Sequence, residues 1–104
     1  MSHFTFELAD LSGANLSRAD LWRSSLQGAN LSGGDFSGAN LQEAILWSAN
    51  LKGSNLSGTN LTDAIFGGNL LIGTNFKDAR NAIFENVYFN DTIMPDGTIR
   101  NGRY

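Results

Sequence analysis

The sequence predicts an all-β solenoid, a rod in which the chain turns a corner every five residues and closes a square coil every twenty. Three observations predict it. Leu or Phe stands at Phe6, Leu11, Leu16, Leu21, Leu26, Leu31, Phe36, Leu41, Leu46, Leu51, Leu56, Leu61, Phe66, Leu71 and Phe76, fifteen consecutive positions five apart. The residue two places before is small almost throughout, as in Ala9, Ala14, Ala19, Ser24, Ala29, Gly34, Ala39 and Ala44. The residue just before is mostly Asp or Asn, and Gly recurs two places after, as in Gly13, Gly28, Gly33, Gly38, Gly53 and Gly58.

A period of five suits neither regular element. On a helix of 3.6 residues per turn it smears the Leu positions around the axis, and on a strand of period two it flips them between faces. A chain that bends once per pentapeptide aims each Leu or Phe inward again. Four right-angle bends close one coil, and coils stack at strand spacing with backbone groups paired between them. A narrow interior then holds one large and one small side chain per face. The Asp, Asn and Gly positions supply the corners, since these residues bond to nearby backbone or accept unusual φ.

Units such as Ala14-Asn15-Leu16-Ser17-Arg18, Ala19-Asp20-Leu21 and Ala29-Asn30-Leu31-Ser32-Gly33 resemble the pentapeptide-repeat family, whose pattern is A-(D/N)-L-x-x; the resemblance runs through residues 4–79. It implies a right-handed quadrilateral β-helix, here of about five coils with N- and C-terminal caps. The handedness comes from the resemblance, because the spacing alone does not set it.

Taken in order, residues 1–8 form the N-terminal cap, 9–79 the regular coils, and 80–104 an irregular final coil and C-terminal cap, all in one domain. Phe4 is large where the interior wants a small residue, and with Phe6 and Leu8 it is expected to plug the open first coil. Five coils at about 4.8 Å give a rod roughly 25 Å long, about as tall as it is wide. Asn69, in Gly67-Gly68-Asn69-Leu70, replaces a small inward residue, and either finds polar partners or makes the coil bulge at the glycine pair. Eight residues separate Phe76 from Phe84, which reads as a three-residue insertion around Arg80 to Ala82 forming a protruding corner. A second five-spaced series, Phe84, Phe89, Met94, Ile99 and Tyr104, closes the far end, with a β-turn at Pro95-Asp96-Gly97. Capping a monomer and pairing two subunits are both open to that segment.

A net charge of −3 with 16% charged residues gives no electrostatic case for a nucleic-acid or anionic-membrane surface. No Cys is present, which removes disulfide and thiolate chemistry. The start Met-Ser-His-Phe-Thr has neither a basic nor an apolar character, and no run reaches transmembrane length, so the cytoplasm is the expected compartment. His3 is the single histidine and reads as a surface residue; no zinc set, catalytic triad or cofactor site is expected. Residues twenty apart lie above one another, which places Glu43 and Asp63 in a column with Arg23 and predicts a surface ion pair. Trp22 reads as isolated on its face. No enzymatic activity is expected, because a filled interior offers no pocket for an acid/base pair.

The departures from pattern on the outside are more informative. Ile45 stacks beneath Ile65 where Asn or Asp is usual, Trp47 follows, and Leu70 and Ile72 lie around the next corner. These five residues form a candidate interaction patch, for an unknown protein partner or for self-association as a homodimer, with local packing as the competing reading. The leading function is thus a non-enzymatic structural or protein-interaction module. The alternative follows from the resemblance: some family members protect or inhibit DNA gyrase as acidic, dimeric rods of duplex width paired through their C-terminal ends. This chain shares the repeat, a mild acidity and an aromatic C-terminal segment with them, and departs in its shortness and its lack of acidic columns. The inward frame itself is testable: Leu41→Ala should cost ~2–5 kcal/mol in denaturant unfolding, whereas Ser37→Ala, pointing outward, should cost almost nothing.

Overall fold

A left-handed residue recurs two places after every inward Leu or Phe from Phe6 to Phe76. Eight of these fifteen corners are Gly and seven are not, from Leu8 at φ 60° to Asp78 at φ 61°. At every one of these corners but that after Phe66 the N–H one residue further on donates back to the Leu or Phe carbonyl, as Ala29 does to Leu26 at 3.1 Å. One positive φ at the third position with this bond is the geometry of a type II turn. The Asp or Asn before the Leu braces the same corner from outside. Asp35 Oδ1 accepts from the Ser37 N–H at 3.0 Å and the Ser37 hydroxyl at 2.7 Å, and Asn30 does the same for Ser32.

The computed structural model describes residues 4–103. His3 and Tyr104, each given a role by the sequence, lie outside them. The stacked corners make the expected quadrilateral β-helix, with parallel bridges at an offset of twenty from Thr5↔Ser25 to Asn60↔Arg80. Each face is bonded upward and downward: the Leu31 N–H donates to Asn50 at 2.8 Å, and the Asn50 N–H donates to Ala29 at 2.9 Å. The rod measures 32 × 23 × 23 Å, so it is taller than it is wide, in contrast to the stubby outline that coil counting suggests.

Inside, Leu21, Leu26, Leu31, Phe36, Leu41, Leu46, Leu51, Leu56, Leu61, Leu71 and Phe76 are fully buried, each worth about 2 kcal/mol of apolar transfer. The companion position stays small because the large side chain fills the face: a Cβ on Gly34 would lie 2.6 Å from the Phe36 ring. Where that position is polar, a backbone carbonyl accepts from it. Ser54 donates to Leu51 at 2.7 Å, Thr59 to Leu56 at 2.8 Å and Thr74 to Leu51 at 2.7 Å. Ser24 Oγ is the exception, buried without a hydrogen-bond partner among the described residues. Asn69 resolves its two alternatives in favour of partners: its Oδ1 accepts from Gly67 N–H at 2.8 Å, and its Nδ2 donates to Leu46 at 2.7 Å and Ala49 at 3.0 Å.

The last turn corrects the sequence reading. The offset falls from twenty to eighteen, with Leu70 against Tyr88 and Asn75 against Ile93. Eight residues between Phe76 and Phe84 are therefore two pentapeptides shortened by two, not one lengthened by three. The chain cuts a face short at Arg80 to Ala82 and does not protrude there; Asn81 ties down the shortcut by donating from Nδ2 to Thr62 Oγ1 at 2.9 Å. Phe84 fills the space, its ring 5.2 Å from Phe66, 4.9 Å from Phe76 and 5.3 Å from Phe89. Strand β1 (Leu70–Ile72) pairs in parallel with β2 (Tyr88–Ile93), which turns at Pro95-Asp96-Gly97 into antiparallel β3 (Ile99–Arg103). The five-residue frame accordingly ends at Met94, and Ile99 is 65% exposed rather than inward, because the hairpin reverses the chain.

Three smaller expectations are also corrected. Leu8 is 83% exposed: it occupies a corner position, where the side chain points out over Gly28, and leaves the first coil to the half-buried Phe4–Phe6 pair, 5.4 Å apart. Arg23 and Glu43 form no ion pair among the described residues. Instead Glu43 Oε2 accepts from the Trp22 indole N–H at 3.0 Å and Arg23 lies over that ring at 5.4 Å, so Trp22 braces neighbouring coils and is not isolated.

Two predictions follow from the corners. Gly53 has φ +65° and open space around a built Cβ, so Gly53→Ala should lose ~1 kcal/mol from backbone strain alone, while Asp63→Gly, at φ 58°, should be neutral or stabilising in urea unfolding. Asp10, Asp35 and Asp96 are held below the ordinary value of 3.8 by the hydroxyls, and then the backbone N–H groups, of Ser12, Ser37 and Thr98. A depressed native pKa stabilises above that ordinary value and is lost as pH falls through the native one. Replacing all three by Asn should therefore keep the corners and flatten the loss of stability below the ordinary carboxylate value, read as thermal midpoints from pH 7 to pH 2.

Candidate interaction surface

Position by position, the outer surface is set by what replaces Asp or Asn before the inward residue. Along most columns that residue turns back to brace its corner, so the face is polar. At Ile45 and Ile65, bridged in parallel, no side chain can accept from the corner N–H and the face becomes apolar. Ile45 is half-buried, whereas Ile65 is 43% exposed. Trp47, 48% exposed, lies across the coil above because the residue there is Gly67: a Cβ at Gly67 would meet the indole at 3.2 Å. The Ser48 N–H donates to Gly67 at 2.8 Å just beneath, so the platform under the ring is hydrogen-bonded backbone.

A shallow open groove borders this platform, lined by Trp47, Ile65 and Phe66, with Gln27, Glu85 and Asn86 as its polar rim. Leu70 and Ile72 belong to a second groove, beyond the Ser48 and Gly68 corner, with Asn50 and Lys52. The five candidate residues thus divide between two adjacent faces, Ile45, Trp47 and Ile65 on one and Leu70 and Ile72 on the other. Leu70 is 58% exposed on β1.

Sequence reasoning missed a sixth residue. Ile83 is 64% exposed and lines a further shallow groove with Ile65, Phe66 and Glu85. At an offset of eighteen it continues the Ile45–Ile65 column, and reading the frame change as an insertion hid it. The signal was present, since Ile83 precedes Phe84 as Ile65 precedes Phe66. Another cleft, between Gly68, Leu70, Asn86, Tyr88 and Arg103, opens where the shortened coil meets β3. Among the described residues no group of His, Asp and Glu is placed to hold a metal ion, and no helix is long and apolar enough to cross a membrane.

A family model for pentapeptide repeats matches the chain in eight copies, over residues 6–42 and 49–80. The stretch it passes over, 43–48, contains Ile45 and Trp47. No curated protein sequence matches the chain. Among solved structures, a pentapeptide repeat protein of the Arabidopsis thaliana thylakoid lumen is 30% identical over 85% of this chain and 59% of that one, with a TM-score of 0.71. HetL, a pentapeptide repeat protein involved in heterocyst differentiation regulation in the cyanobacterium Nostoc, is 34% identical over 92% of this chain and 43% of its own, with a TM-score of 0.56. A pentapeptide repeat protein from the cyanobacterium Cyanothece is 38% identical over 83% and 56%, with a TM-score of 0.54. This chain spans between 43% and 59% of the length of those three proteins. With the repeat matched over most of its length and the square coil common to these structures, the chain belongs to the pentapeptide repeat family.

Proposed function

We propose that this chain is a non-catalytic protein-interaction module that docks a protein partner on the apolar strip of Trp47 and the Ile45, Ile65 and Ile83 column. One observation carries the reading: along one column Ile takes the place of the corner Asp or Asn at positions 45, 65 and 83, Ile45 and Trp47 fall in the stretch 43–48 that the family model passes over, and Trp47, Ile65 and Ile83 are large, apolar and exposed. A corner Asn replaced by Ile gives up a brace that its neighbours keep, so local stability does not account for the exchange. A Trp on a rigid backbone platform, rimmed by Gln27, Glu85 and Asn86, has the composition of an interface anchor with a polar surround.

The duplex-mimicking alternative draws less support from the surface. A mimic of the phosphate backbone needs carboxylates repeated along the rod. Here Asp10 lies in a column with Asn30 and Asn50, Asp20 with Asn40, Asn60 and Arg80, and Asp35 with Asn15, Asn55 and Asn75, one acid to each.

A Trp47→Ser, Ile65→Ser double variant should unfold close to the wild-type midpoint, because both side chains are half-exposed, and should fail to retain a protein that the wild type retains. Identical retention by the two proteins at equal loading would overturn this docking surface.

A further inference from the structure

The two ends of the rod are not alike. Past the last full coil, β3 pairs with β2 and covers that backbone edge. Among the described residues the first coil has no such cover. In the second coil, Asn30 donates its N–H to Ala9 and accepts from Leu11 through its carbonyl, and Asp35 and Asn40 do the same with the coil below them. The residues one coil earlier, Asp10, Asn15 and Asp20, use neither backbone group among the described residues. Phe6, Leu11 and Leu16 beside them are only partly buried, whereas Leu26, Leu31 and Phe36 directly above are 0–1% exposed. The end is thus a ring of unpaired strand edges around an apolar centre, a template for further strands.

We propose that this first coil is the interface for a second copy of the chain, packed head to head so that the strand edges of the two first coils pair antiparallel about a two-fold axis. Two observations select this occupant. An end 23 Å square offers roughly 500 Å² per copy, about 1,000 Å² in all, which reaches the lower bound of a specific interface. The charges also permit it in a defined register. The four faces are marked in order by Thr5, Asp10, Asn15 and Asp20. A two-fold axis through opposite faces sets Asp10 against Asp20, or each against itself, and like charges directly opposed repel. An axis through opposite corners sets both of these acids against a neutral residue, either Asp10 against Asn15 and Asp20 against Thr5, or Asn15 against Asp20 and Asp10 against Thr5, while the remaining acid of the coil, Glu7, accepts from Ser25 Oγ of the coil above at 3.2 Å. The two-fold arrangement closes on itself and adds no third copy.

The corner register makes Asn15 the diagnostic residue, because in either version it faces an acid. Asn15→Asp preserves the corner brace, as Asp10, Asp20 and Asp35 show at equivalent positions, each accepting from the N–H two residues on. It introduces two symmetry-related acid pairs at the interface and nowhere else. Sedimentation and light scattering over a concentration range should show the full chain as a dimer, the Asn15→Asp variant dissociating about tenfold more readily, and high salt recovering part of that loss. Trp47→Ser, Ile65→Ser should dimerise as the wild type does, which separates this interface from the docking strip. Hydrogen exchange supplies a readout without a variant: the Asp10, Asn15 and Asp20 amides should gain protection as concentration rises. A monomer at millimolar concentration would overturn the proposal. So would a dimer whose Asp10, Asn15 and Asp20 amides exchange freely, or one that Asn15→Asp leaves equally tight.

Discussion

The structure depends on a corner that must be made every five residues with the same backbone conformation. A left-handed residue and a bond from the next N–H to the Leu or Phe carbonyl rotate the chain by a right angle and re-aim the following Leu inward. Everything else is downstream of that repetition. The inter-coil ladder exists because corners stack at an offset of twenty, and the core exists because one large and one small residue return to each face. The seven non-glycine corners, among them Arg18, Arg23 and Glu43, show that the ladder and core on either side hold the conformation even where the residue resists it.

Polar side chains extend the same economy into places where isolated polar groups would be destabilising. Buried Ser54, Thr59, Thr74 and Asn69 sit where Ala would do, and each donates to a corner carbonyl that has a second lone pair to spare. Asn69 goes furthest: it reaches two carbonyls of the coil below and also holds the Gly67 N–H, so its corner is closed by a side chain where its neighbours use backbone. A polar residue in the interior of such a rod is tolerated when its reach matches the spacing of those carbonyls.

Most of the fold was legible in the sequence, and the residues explain why. Fifteen inward positions, their small companions and the Asx corners are strictly local, each specified inside its own pentapeptide. What was misread lies where the period changes. A spacing of eight can be reached by adding three to five or by taking two from ten, and only the pairing of Leu70 with Tyr88 distinguishes them. Leu8 was misplaced because its apolar character suggested the interior while its position is a corner. Of the candidate surface, Ile45, Trp47 and Ile65 could be read from pattern violations on one column. Ile83 was missed because reading the frame change as an insertion moved it off the column, although its place before Phe84 repeats that of Ile65 before Phe66; Leu70 and Ile72 were rightly set around the next corner.

The shortened coil also bears on how far a rod of this kind can grow. A stack of identical twenty-residue coils is a perfect template for more of the same, which is the geometry by which sheets extend without limit. A step of eighteen puts the last coil out of register with any twenty-residue successor, and β3 lays down a strand of opposite polarity, with Arg100 and Arg103 on an exposed edge. A regular parallel coil arriving at that end meets the wrong spacing, the wrong direction and two positive charges. By dropping two residues and reversing once, the chain gives its solenoid a terminus that resists runaway stacking, as charged or irregular edges do for open sheets.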